Sequence, residues 1–103
     1  MYKILVVDDD YGIRSIMKDS LKDQNYKVKV AESGQEGLEY IKNQDFDLVI
    51  TDMVMPPGID GIELMEKALE INEELGFIVI TAYGTIKTAV DALKKGAFDF
   101  ITK

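Results

Sequence analysis

A chain of 103 residues is long enough for one domain with one core, and 47% hydrophobic with 30% charged residues is the balance of a globular chain, not a disordered or membrane-embedded one. Twelve basic against nineteen acidic residues leave a net charge of −7, which repels a phosphate backbone, so this chain alone is not expected to bind nucleic acid. Cysteine and histidine are both absent, which excludes disulfides and the usual zinc ligands; any metal would have to be held by oxygen.

The chain opens with an apolar run, Ile4 to Val7, that stops at Asp8, Asp9 and Asp10. An apolar run without alternation reads as a strand covered on both faces. Ile13, Ile16, Met17 and Leu21 then recur on one side of a helix that Asp10 is suited to cap. Tyr26, Val28 and Val30 alternate with Lys27 and Lys29, the pattern of an edge strand or one with a wet face. Ser33-Gly34-Gln35-Glu36 has capping-box spacing and starts a second helix that turns Leu38 and Ile41 inward. Leu48 to Ile50 form a third strand, and Ile62, Met65, Ala68 and Leu69 mark a third helix. Phe77 to Ile80 read as the fourth strand, Ile86, Ala89, Val90 and Leu93 as the inner face of a fourth helix, and Phe98 to Ile101 as a short fifth strand. Gly76 and Gly96 fall where helices could end, and Gly61, Gly84 and Gly96 read as turn residues with positive φ.

This β-α alternation predicts an α/β fold, a doubly wound five-stranded parallel sheet with helices on both faces. One domain over 1–103 is expected, cut short at its C-terminus because no helix follows the fifth strand. No apolar run approaches the roughly 20 residues needed to span a bilayer. Carboxylates also stand where a signal peptide would be apolar, so a cytoplasmic chain without membrane contact is expected.

Open parallel sheets bind ligands beyond the carboxyl ends of their strands. Here those ends carry Asp8 and Asp9, then Thr51 and Asp52, then Thr81, then Thr102 and Lys103. Crowded carboxylates with oxygen-only ligation suit Mg2+, and beside such a cation one carboxylate can attack phosphorus to form an acyl phosphate. A hydroxyl and an ammonium, Thr81 and Lys103, are the residue types that would hold the remaining oxygens. Taken singly, each residue has a plainer reading: Asp10 as a cap, Asp52 as a loop carboxylate, Thr81 as a β-branched strand residue, Lys103 as a solvated terminus, Phe100 as core packing. Their coincidence at four strand ends carries the site.

The strings VVDDD, LVITDMVMP, VITAYG and GAFDFITK resemble, in order and spacing, the CheY-like receiver domain of bacterial two-component response regulators, over essentially the whole chain. That resemblance implies the flavodoxin-like strand order 2-1-3-4-5. It implies that Asp52 accepts the phosphoryl group, that Asp8, Asp9, Asp52 and the backbone carbonyl of Val54 hold Mg2+, and that Thr81 and Lys103 bind phosphoryl oxygens. Phe100 matches the family's switch aromatic, which moves inward as the Thr81 hydroxyl turns toward the phosphoryl group. The implied product is a phosphorylation-activated signalling switch, not an enzyme with a released product. The implied donor is a sensor histidine kinase or a histidine phosphotransfer protein, in trans because this chain has no histidine. The stretch from Thr81 to Lys103 looks most like receivers of NtrC-type activators, implying transcription regulation through a downstream output domain or protein; single-domain phosphorelay receivers share much of it. A homodimer is compatible with the resemblance.

Two features depart from it. The loop Met55-Pro56-Pro57-Gly58-Ile59-Asp60-Gly61 is one residue longer than usual, and the chain lacks the proline and fifth helix that usually follow the lysine. Val54 and Tyr83, apolar and bulky, would orient an attacking water poorly, which predicts a long-lived phosphorylated state. Asp8-x-Asp10 with a later Thr and Lys also resembles haloacid dehalogenase phosphatases, in which Asp8 would be the nucleophile, although the further acidic motif of that class is missing. A flavin-binding module of the same topology would place its phosphate against Asp8 to Asp10, which would repel it.

Overall fold

The unbroken apolar runs become the inner strands of one parallel sheet. The computed structural model describes residues 2–55, 58–82 and 86–102. In it β1 (Lys3–Val7), β2 (Lys27–Ala31), β3 (Leu48–Asp52), β4 (Gly76–Thr81) and β5 (Asp99–Thr102) alternate with α1 (Tyr11–Asp23), α2 (Gly34–Asn43), α3 (Gly61–Ile71) and α4 (Ile86–Lys94). The strands lie in the order β2-β1-β3-β4-β5 and every neighbouring pair is parallel. This is the expected doubly wound topology. No helix among the described residues is long and apolar enough to cross a membrane.

Side chains alternate across the sheet, and each face builds its own core. Leu5, Val7, Val49, Phe77 and Val79 pack with Ile41 of α2, Leu64, Met65 and Ala68 of α3, and Ala92 of α4. Ile4, Val6, Ile50 and Ile80 face the other way, onto Ile13, Met17 and Leu21 of α1. Edge strand β2 leaves Lys27 and Lys29 exposed, which discourages pairing with another sheet edge.

Several expectations shift by a residue or a face. Ile16 is 65% exposed, not inward, because Ile13, Met17 and Leu21 already define the stripe that meets the sheet and Ile16 falls on its flank. Among the described side chains of α4, small Ala92 is the one buried in the core, with Val90 and Leu93 left 41% and 46% exposed on either side; the side chain of Ile86 lies outside the described residues. Leu64, absent from the predicted α3 stripe, is fully buried. Gly76 does not end a helix: α3 stops at Ile71 and Gly76 opens β4. Phe98 precedes β5 instead of starting it, its N–H donating to the Phe77 carbonyl at 2.7 Å.

Tyr26 also falls outside its expected strand, because its N–H closes α1. It donates to the Leu21 carbonyl at 3.2 Å while the Asn25 N–H donates to Lys22 at 2.9 Å, with Asn25 at φ 67°. This is the paired-bond helix stop that needs a left-handed residue. Asn25→Ala is expected to cost about 1 kcal/mol, because alanine tolerates that conformation less well. A lower urea midpoint at unchanged slope would register it.

Candidate functional site

Register brings the acidic residues together. β1 and β3 are neighbours with Val7 opposite Thr51, so Asp8 and Asp52, the next residues, emerge side by side at the carboxyl edge of the sheet. Asp8 is fully buried, Asp52 is 6% exposed, and Asp9 is open to solvent. One carboxylate oxygen from each of the three lies within 4.8 Å of the others. Thr81 ends β4, one residue beyond the Asp52–Ile80 pair, and is buried at the same edge. Phe100 sits opposite Val79 on β5, half-buried against the core that α2, α3 and α4 cover. Val54 is 48% exposed in the loop after β3. Lys103, Tyr83, Gly84, Pro56 and Pro57 lie outside the described residues.

The turn from β1 into α1 is pinned through the backbone of Asp8 and Asp10. The Asp8 N–H donates to the Ala31 carbonyl at 3.1 Å, and the Asp10 N–H donates to Asp8 Oδ1 at 2.9 Å. The Asp10 carboxylate accepts from the N–H groups of Gly12 and Ile13, so Asp10 is the helix cap that its position suggested. Arg14 Nη1 donates to the Asp8 carbonyl at 2.7 Å.

Asp52 is held from the other side. The Thr51 hydroxyl donates to the Asp52 carbonyl at 3.0 Å, the Met53 N–H donates to Ile80, and the Gly61 N–H donates to Met53 at 2.9 Å. Gly61 is not the positive-φ turn residue expected of it. It is the first residue of α3, and a Cβ there would stand 2.1 Å from the Asp52 carbonyl oxygen, so glycine is required by close approach. Asp60 caps α3 by accepting from the Glu63 N–H at 2.8 Å.

The sequence reading missed Arg14 and Asp60, and placed Thr51 at its strand end without giving it a role. A signal for Asp60 was present, since Asp-x-x-Glu precedes an apolar helical stripe. Arg14 follows the cap Asp10 by one turn, a spacing that suits a local contact but does not name its partner.

Three carboxylates with no nitrogen or sulfur donor among them fit a hard cation. Oxygens on opposite sides of a bound Mg2+ are about 4.2 Å apart, since each Mg–O bond is about 2.1 Å. Asp8, Asp9 and Asp52 would hold such an ion through oxygen alone.

The sequence matches the response regulator receiver domain family over residues 4–103. Transcriptional regulatory protein ZraR of Escherichia coli (strain K12) is 40% identical over 100 residues, covering 97% of this chain and 22% of ZraR. Of solved structures, the beryllofluoride-activated NtrC4 receiver domain dimer superposes with a TM-score of 0.93 at 36% identity, covering 100% of this chain and 84% of that one. Response regulator protein TrrA from Thermotoga maritima, in complex with Mg2+ and BeF, gives 0.89 at 33% identity, covering 100% and 87%. This chain belongs to the response regulator receiver domain family. It is a signalling domain of the two-component type, a switch thrown by phosphorylation. It spans about a fifth of the length of the curated relatives it matches.

Proposed function

We propose that residues 1–103 form one receiver unit in which Asp52 is the phosphoryl acceptor, and that Asp8, Asp9, Asp52 and the Val54 carbonyl hold Mg2+. The observation that carries this reading is the meeting of Asp8, Asp9 and Asp52 within 4.8 Å where two adjacent strands end. Asp52 Oδ attacks the phosphorus of a phosphohistidine donor; an O–P bond forms, the N–P bond breaks, and the electron pair stays with the donor imidazole. Mg2+, when bound, would neutralise charge on the phosphoryl oxygens. Thr81, buried at the same edge, supplies the hydroxyl for one of those oxygens, and Lys103 is assigned another by its place after β5. Phe100 follows the Thr81 hydroxyl as the switch aromatic.

Because this chain contains no histidine, the donor acts in trans, as a sensor histidine kinase or a histidine phosphotransfer protein. The relatives' transcriptional role supports a downstream output domain or protein, and the dimer formed by the NtrC4 receiver supports a homodimer of the activated form. The receiver assists its own phosphorylation and dephosphorylation by aligning these groups, and the apolar Val54 side chain favours a long-lived product.

The test is incubation with Mg2+ and a small acyl phosphate, followed by mass mapping. One phosphoryl group on Asp52, lost when Mg2+ is chelated, is the expected result. Label on Asp8 instead would favour the phosphatase-like alternative and overturn the assignment.

A further inference from the structure

Arg14 carries a role that neither the motifs nor the family match assigns. Its guanidinium leaves α1 and donates from Nη1 to the backbone carbonyl of Asp8 at 2.7 Å, in a half-buried setting, with its carbon 5.7 Å from the Tyr11 ring centroid. That carbonyl belongs to the peptide joining Asp8 to Asp9, the two residues of the β1–α1 turn that enter the acidic cluster. Three more backbone atoms of this turn are held as well: the Asp8 N–H donates to Ala31, the Asp10 N–H to Asp8 Oδ1, and the Asp10 carbonyl accepts from the Arg14 N–H. Arg14 is therefore tied to the turn twice, through its own backbone and through its side chain.

We infer that Arg14 is a positioning residue for the acidic cluster, fixing the Asp8–Asp9 peptide so that both carboxylates are presented toward Asp52 before any ion arrives. The inference rests on the metal reading proposed above and deepens it. Two effects of the guanidinium act in opposite directions, which makes the idea testable. As a positive charge beside the cluster it disfavours a cation; as the donor that orients the peptide it favours one. Groups that orient metal ligands from the outer shell typically matter by roughly ten- to a hundredfold in metal affinity, so orientation outweighs the partly screened charge.

Arg14→Met keeps an unbranched stem against Tyr11 and removes both the donor and the charge. Mg2+ titration of the 103-residue chain by calorimetry is expected to show roughly tenfold weaker binding than the parent, with Arg14→Lys in between, since a shorter ammonium keeps the charge and only part of the bond. In the metal-free proteins, amide exchange at Asp9 and Asp10 accelerates in Arg14→Met while Val79 in β4 stays protected, a pattern that a general loss of stability would not give. If Arg14→Met, or Arg14→Lys should the former not fold, binds Mg2+ as tightly as the parent or more tightly, charge alone governs and the positioning role falls. If the parent chain itself takes up no Mg2+, the metal reading falls, and this inference with it.

Discussion

Asp52→Asn takes up no phosphoryl group from Mg2+ and an acyl phosphate, a complete loss and the largest functional effect expected of any single substitution here. An amide oxygen is a poor nucleophile toward phosphorus, and no base in the site could restore it. The informative comparison is Asp9→Asn. Asp9 stands in the same cluster but is exposed and sits on the other strand end. Its loss weakens ion binding and leaves the nucleophile in place, so phosphorylation slows at low Mg2+ and recovers as Mg2+ is raised. Intact-mass kinetics over a Mg2+ series separates the two cases. An Asp52→Asn protein that is still labelled at the parental rate would mean that the acceptor lies elsewhere.

The second large effect is structural. Gly61→Ala would ordinarily help a helix by up to about 1 kcal/mol, because glycine is the poorer helix former. Here the added methyl would lie 2.1 Å from the Asp52 carbonyl oxygen, a backbone atom that cannot swing aside as a side chain could. Either α3 retreats from the sheet, separating Leu64 and Met65 from the core, or the end of β3 moves and carries Asp52 with it. Overpacking of this kind costs about 3 kcal/mol, which for a domain of this size lowers the melting temperature by roughly 10–20 °C. Differential scanning calorimetry reads the shift, and an unchanged or higher melting temperature would show that the contact is looser than described. Phosphoryl uptake should fall as well, since the same carbonyl is hydrogen-bonded by Thr51 and belongs to the proposed acceptor.

The sheet was legible in the sequence for a physical reason. Strands covered by helices on both faces have no wet side, so Ile4 to Val7 and Phe77 to Ile80 stand out as unbroken apolar runs, while Lys27 and Lys29 mark the edge. The helices were legible as periods but less so as faces. A repeat of 3.6 says that a stripe exists, not which flank loses its cover; thus Ile16, Val90 and Leu93 were placed inward and lie exposed, while small Ala92 makes the close contact. At the site, the acidic residues could be located because strand ends are fixed points of the fold. What escaped was everything set by approach distances: Gly61 was read for its dihedral freedom when its missing Cβ was the point, and the reach of Arg14 back to a backbone carbonyl leaves no trace in spacing alone.

Because Asp8 and Asp52 are consecutive with hydrogen-bonded partners on adjoining strands, the distance between them is set by the spacing of the sheet and not by a loop that must first fold over. If Asp8 and Asp52 hold an ion as proposed, its capture requires almost no ordering of these two residues. The entropy of association should be dominated by water released from the cation, and the capture rate should follow the exchange of that water with little sensitivity to solvent viscosity.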